Sequence, residues 1–452
     1  MQTSRAERNK KKKKMDNSLQ NKIWVTLNLS LITAIMFLVT YFLAGGEIFG
    51  KTRADFINGT NSQKIEQPQA NVPSNTSQNT PSNSELNSNN KTEETAVPKE
   101  EEKKEDQLLF HFAGDTMFSG RVAEKLKIEG NDFPFQHVSS IFQNDDLSVL
   151  NLESPITTRG TNAEDKQYVF ESSPDITPYM AKAGIDVVNL ANNHILDKGK
   201  DGLLDTFSHL DDNKISYIGA GKNKKSAYTP VYVERKGVKI ALLGFSRVLP
   251  KMEWAAGTFS AGVAEMYNPK LALEAVEEAR KEANLVIVVT HWGRERVTKL
   301  QDHQKELAHA LVDAGADLVV GSHPHVLQGI EQYKGKWIAY SIGNFIFTKS
   351  KTVETWETAV LQVKANKDGI VSAKLIPYVT GIGQPIPMEA EQAQKMFKRV
   401  EGLSPGVTIN NEGDVQSTTG GNNQADTNTK NENSTNSIDN FDNTPDDSTD
   451  SD

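Results

Sequence analysis

The segment VVGSHPHVLQG, residues 319–329, sets two histidines about a proline directly after a short apolar run. A run of that length bounded by glycine and proline reads as a buried strand. Metal-type side chains where such a strand stops point to a site at its carboxyl end. Four other runs follow the same rule. LLFHFAGD (108–115) ends in Gly114-Asp115, and DLSVLNLES (146–154) runs into Asn151 and Glu153. DVVNLANNH (186–194) runs into Asn192, Asn193 and His194, and NLVIVVTHWG (284–293) into His291. Helix-compatible stretches at 268–283 and 302–314 precede the last two runs, so the core reads as layered α/β. In open α/β sheets functional groups gather at the carboxyl ends of strands, where residues far apart in sequence meet.

Each piece has a plainer reading. A lone strand-ending histidine is usually a hydrogen-bonded structural residue, Gly114-Asp115 is compatible with a turn, and Asn192-Asn193-His194 with helix-entry capping. The fivefold recurrence favours a shared metal site. Four of the nine histidines, His194, His291, His323 and His325, lie at these ends. The other five, His111, His137, His209, His303 and His309, read as surface or core residues. Carboxylate, amide oxygen and imidazole suit Zn²⁺, Mn²⁺ or Fe²⁺. Pro324 restricts His323 to an extended backbone; a bend at this loop would let both rings face inward, and in a regular strand positions 323 and 325 share a face.

The 452-residue chain contains no cysteine, which excludes disulfides, thiolate metal ligands and a lipid-modified N-terminal cysteine. Residues 107–401 hold 34 basic and 36 acidic side chains, so most of the formal charge of −9 lies in the flanks. No nucleic-acid partner is expected of this core. Residues 1–22 are basic, with the run Lys10 to Lys14. Residues 23–44 contain no charge and are long enough to span a bilayer core of about 30 Å. The basic side stays in the cytoplasm by the positive-inside rule, which puts the main domain outside. A cleavable signal peptide is the rival reading. Residues 45–106 are expected to be a disordered extracytoplasmic linker, and 402–452 a disordered acidic tail.

FAGDTMFSG (112–120), NLES (151–154), LANNHILDKG (190–199), THWGRE (290–295), GADLVVGSHPHVLQGIE (315–331) and YSIGNFIF (340–347) together resemble the CapA/PgsA family. These are capsule proteins of bacterial poly-γ-glutamate synthesis and export, related to calcineurin-like metallophosphoesterases. The resemblance implies a four-layer αββα metallophosphoesterase-like sandwich, here preceded by one transmembrane helix and flanked by disordered segments. It implies one metal held by Asp115, Glu153 and His325. A second metal falls to Glu153, Asn193, His291 and His323, with Glu153 bridging. It makes His194 the acid that assists a leaving group. Two departures stand out. Met117 replaces a histidine of the usual Asp-x-His motif, and Glu153 replaces an aspartate, which leaves one well-held metal and one weak or absent.

Three functions follow as expectations. One is a membrane-anchored extracytoplasmic component of poly-γ-glutamate assembly and export, with other membrane proteins and an anionic polymer as partners. Arg159, Lys166, Arg294 and Arg296 lie near the motifs and either face that polymer or are ordinary surface cations. The second is a metal-dependent hydrolase with a degenerate dinuclear site, acting on an extracellular phosphate ester. The third is a scaffold that keeps the ligands for stability.

Overall fold

The computed structural model describes residues 107–418 apart from Asp165. The expected anchor at 23–44 and linker at 45–106 lie outside the described residues. Among the described residues no helix is long and apolar enough to cross a membrane.

The chain runs through β1 (Leu108–Thr116), α1 (Gly120–Glu129), α2 (Ser139–Phe142), β2 (Leu147–Leu152), α3 (Thr177–Ala183) and β3 (Val187–Asn189). Next come α4 (Gly199–Asp212), β4 (Ser216–Ile218), β5 (Ala220–Gly221), α5 (Lys224–Ala227), β6 (Val231–Arg235), β7 (Val238–Ser246) and β8 (Gly262–Val263). The second half holds α6 (Lys270–Glu282), β9 (Leu285–His291), α7 (Asp302–Asp313), β10 (Leu318–Ser322), β11 (Ile330–Tyr333), β12 (Lys336–Ala339) and β13 (Asn344–Ile346). It closes with β14 (Glu357–Asn366), β15 (Gly369–Thr380), β16 (Pro385–Pro387), α8 (Ala390–Gly402), β17 (Val407–Ile409) and β18 (Asp414–Ser417).

Two mixed sheets carry the domain. The first has the order β17-β18-β15-β14-β1-β2-β3-β4, and the second β11-β12-β10-β9-β7-β6. Their central strands are parallel and buried along their whole length, which explains the unbroken apolar runs in the sequence. Edge strand β6 instead alternates half-buried and exposed residues. The hairpins β6–β7 and β11–β12 turn on Lys236-Gly237 and Lys334-Gly335. All four turn residues have positive φ, as a two-residue type I′ turn requires.

Period-two alternation sorts the side chains into layers. Phe110, Phe112 and Val149 of the first sheet meet Ile240, Ile287 and Val320 of the second in a shared inner core. On the outer face of the first sheet, Leu150, Leu152 and Val188 pack against Val122 of α1, Met180 of α3 and Phe207 of α4. On the outer face of the second, Val286, Val288 and Val319 pack against Val276 of α6 and Leu311 of α7. Each such side chain, fully buried, contributes about 1.5–3 kcal/mol. The result is helix, sheet, sheet, helix.

The fold continues past the expected boundary at residue 401. Strands β17 and β18 pair with each other, and β18 pairs with β15. Val407, Ile409 and Val415 join Met396, Phe397 and Val400 of α8 in the inner core. Residues 402–418 therefore belong to the folded domain, because the free edge of β15 offers a template their short alternating pattern can use.

Candidate metal centre

Strand register brings the site residues together before any side chain is considered. In the first sheet Asn344, Asp115, Asn151 and Asn189 stand on one rung across β13, β1, β2 and β3. In the second, Ser246, His291 and Ser322 do the same across β7, β9 and β10. Apart from Asn344, which opens β13, these residues lie at the carboxyl ends of parallel strands. Gly114 permits the approach, since a Cβ there would come within 1.9 Å of the Gly343 carbonyl oxygen. That oxygen accepts the Asp115 N–H at 3.1 Å.

All six expected ligand residues converge. A nitrogen or carboxylate oxygen from each of Asp115, Glu153 and His325 lies within 4.8 Å of the others, and the same holds for Glu153, His291 and His323. His291 Nε2 lies 3.0 Å from Asn193 Oδ1 and 3.6 Å from Glu153 Oε1. His325 Nε2 lies 3.7 Å from the same Glu153 oxygen. His325 Nδ1 lies 2.8 Å from Asn344 Oδ1 and 3.1 Å from Asp115 Oδ2. Such outer partners fix which ring nitrogen is free to face the centre. Ser322 Oγ does the same for His291, at 3.1 Å from Nδ1.

The His-Pro-His turn differs from the extended reading. His323 has φ +95° and His325 φ +56°. Left-handed histidine backbone costs roughly 1–3 kcal/mol per residue and persists where surroundings over-determine it. Here Asp115 does so, accepting the His323 N–H at 3.2 Å. This turn brings ring nitrogens of both histidines to the cluster.

Glu153 is fully buried, yet neither of its carboxylate oxygens has a hydrogen-bond partner. His323 Nδ1 is likewise buried and unpartnered. Buried polar groups are almost always paired. A carboxylate without donors, ringed by three imidazoles and an amide oxygen, is what a divalent cation needs, so the donor set fits such an ion. Electrostatics agree. Burial, then the neighbouring Asp115 charge, pushes Glu153 well above the usual carboxylate range. Burial pushes His291 well below the usual imidazole range and His323 down to about 4. Burial opposes protonation of His325, but Glu153 and Asp115 outweigh it and raise His325 to about 10.

His194 sits beside this cluster. Its Nδ1 lies 2.7 Å from Asp197 Oδ2 and 2.8 Å from Lys166 Nζ, and its ring packs on Phe170. Lys166 also donates to the Asn193 carbonyl at 2.5 Å and to Asp197, and its ammonium lies over the Trp254 ring. Burial, then the Lys166 charge, lowers the His194 pKa. The Asn192 amide donates to the Leu152 carbonyl and accepts the His194 N–H, so it shapes this turn rather than capping a helix. Helix α4 begins later, at Gly199.

Several residues take roles in the site that the sequence did not assign. Asn151 donates to Asp115 at 2.8 Å, lies 3.3 Å from His291 Nδ1, and accepts from Asn189 at 3.0 Å, tying the two sheets together. Asp197 was signalled only by its position three residues after His194. Lys166 is turned inward rather than facing solvent, and Arg159 is paired with Asp205. Arg294 and Arg296 are exposed. Of the remaining histidines, His111 is buried against Asp145 and His309 stacks on Tyr333 beside Glu331.

The fold and site define an α/β sandwich with a carboxylate–amide–imidazole cluster where the strands of two sheets end. Residues 110–349 match the family described as bacterial capsule synthesis protein PGA_cap, and the chain belongs to that family. It is 34% identical over 300 residues to the capsule biosynthesis protein CapA of Bacillus anthracis, covering 65% of this chain and 72% of that one. It is 34% identical over 302 residues to the PGA biosynthesis protein CapA of Bacillus subtilis, covering 66% and 78%. Among solved structures, a hypothetical protein from Thermus thermophilus matches with a TM-score of 0.40 and 15% identity, over 61% of this chain and all of that one.

Proposed function

We propose that this chain is a single-pass, membrane-anchored, extracytoplasmic component of poly-γ-glutamate capsule biosynthesis and export, with a metallophosphoesterase-like divalent metal centre in its αββα domain. The observation that carries the metal reading is Glu153, a buried carboxylate with no hydrogen-bond donor among three histidines. Membership of the capsule family and the names of the Bacillus relatives support the cellular role. Glu153, Asn193, His291 and His323 would hold one cation, and Asp115, Glu153 and His325 a second. A divalent cation there supplies a fixed positive charge and Lewis acidity toward an anionic oxygen. Asp197 and Lys166 occupy the Nδ1 side of His194, which leaves Nε2 to exchange a proton with a bound group. Exposed Arg294 and Arg296 offer contacts to an anionic chain. Other membrane proteins are expected as partners, because a single-pass anchor does not form an export path alone. Deleting the gene in a polymer-producing host should abolish surface polymer, and complementation should restore it. Unchanged polymer after deletion removes this reading.

The His194–Asp197–Lys166 arrangement favours a second reading, a metal-dependent phosphoesterase. Full-length protein with Mn²⁺ or Zn²⁺ should then hydrolyse aryl phosphate monoesters or diesters, and His291→Ala should abolish turnover. Absence of turnover with either metal on both ester classes counts against it. A scaffold role requires that His323→Ala leave polymer export intact.

A further inference from the structure

Glu295 belongs to none of the expected ligand sets, yet the fold delivers it to the centre. It lies on the loop that leaves β9, and that loop runs along the His-Pro-His turn. The Trp292 N–H donates to the Ser322 carbonyl at 3.1 Å, and the Arg296 N–H to the Pro324 carbonyl at 2.8 Å. Gly293 at φ +86° and Arg296 at φ +59° bend the backbone on either side of Glu295. Below the loop, Gln304 donates to Gln328, which donates to the Val297 carbonyl, both at 2.9 Å. The loop is therefore tied down before any ligand arrives. Its arginines point outward and its carboxylate inward.

A Glu295 oxygen and a nitrogen from each of His323 and His325 lie within 4.8 Å of one another. Independently, His323 Nδ1 is buried without a partner. Met117, two residues after Asp115, is buried and offers no imidazole to the centre. We propose that Glu295 is a metal ligand, supplying the donor that completes the His325 side of the centre. On this side the loop carboxylate stands beside the imidazoles. A centre with carboxylates from Asp115, Glu153 and Glu295 on this side favours harder ions such as Mn²⁺ over Zn²⁺.

This inference rests on the metal reading, and the test separates the two. Full-length wild type, Glu295→Gln, His291→Ala and the double variant are stripped of metal, then equilibrated with Mn²⁺. Bound manganese is counted by elemental analysis, and low-temperature electron paramagnetic resonance reports whether ions are coupled. Wild type is expected to hold two coupled ions. Glu295→Gln should hold one, uncoupled, with its affinity within about threefold of the tighter wild-type site, and the double variant none. Two coupled ions in Glu295→Gln at wild-type affinity overturn the ligand role. So does a variant that changes only the binding of inorganic phosphate. A wild type that takes up no manganese defeats the metal reading itself, and Glu295 with it. Should Glu295→Gln melt early, Glu295→Asp serves instead, expected to keep both ions with the weaker one bound about tenfold less tightly.

Discussion

Replacing Glu153 by glutamine distinguishes a metal carboxylate from a structural counter-charge. The side chain is fully buried, and its nearest imidazole nitrogens lie 3.6 and 3.7 Å away, beyond hydrogen-bonding range. Had the carboxylate been the hydrogen-bonded partner of a buried ion pair, removing it would cost about 3–5 kcal/mol. The structure shows instead a group held at a cost, with both oxygens unpartnered and the Asp115 charge adjacent. Leaving one such group unpaired costs about 1–3 kcal/mol. A neutral, nearly isosteric amide in its place should therefore leave the metal-free protein as stable as wild type or up to about 1 kcal/mol more so. With metal the order reverses. A ligand at about a hundred times its dissociation constant stabilises the native state by about 2.7 kcal/mol. In a domain this large that raises Tm by about 5 °C. Thermal melts of both proteins, with chelator and with saturating Mn²⁺, should show wild type rising by about 5 °C and Glu153→Gln not moving. A variant several kcal/mol less stable in chelator, or one that gains as much from Mn²⁺ as wild type does, refutes the assignment.

Truncation after residue 401 should destabilise the domain, because it strips Val407, Ile409 and Val415 from the inner core. At about 1.5–3 kcal/mol each, the upper bound is about 4.5–9 kcal/mol, readable by urea unfolding. Asp197→Asn removes the carboxylate that faces both Lys166 and His194. It should cost about 3–5 kcal/mol in chemical unfolding while leaving the count of bound manganese unchanged; lost manganese would tie Asp197 to the metal centre directly. Metal uptake should release protons. With His325 raised to about 10 by the neighbouring carboxylates, it holds a proton at neutral pH that a cation must displace. Apparent affinity should then climb as pH rises from about 6 to 8, by up to about tenfold per unit for each proton displaced. Calorimetry in buffers of different ionisation enthalpy counts those protons, and a flat profile contradicts the arrangement.

The strand-end ligands were legible because two local signals coincide there. Buried parallel strands leave unbroken apolar runs, and the residues that end them are chemically unlike the runs themselves, as in Val319 to His325. Helices α6 and α7 were legible from the 268–283 and 302–314 stretches for the same local reason. Strands β17 and β18 were not, since seven residues in polar surroundings carry too little apolar pattern to separate from a tail.

By itself the sequence determined the layered α/β class, the ligand types on offer and the exclusion of thiolate chemistry, all of which depend only on residue identity and near neighbours. Tertiary structure alone decided that Asn151 joins the two sheets, that Lys166 turns inward onto Asp197, and that Glu295 reaches His325. Those outcomes depend on strand register and on turns such as His323 at φ +95°, where the surrounding hydrogen bonds overrule the preference of the local chain.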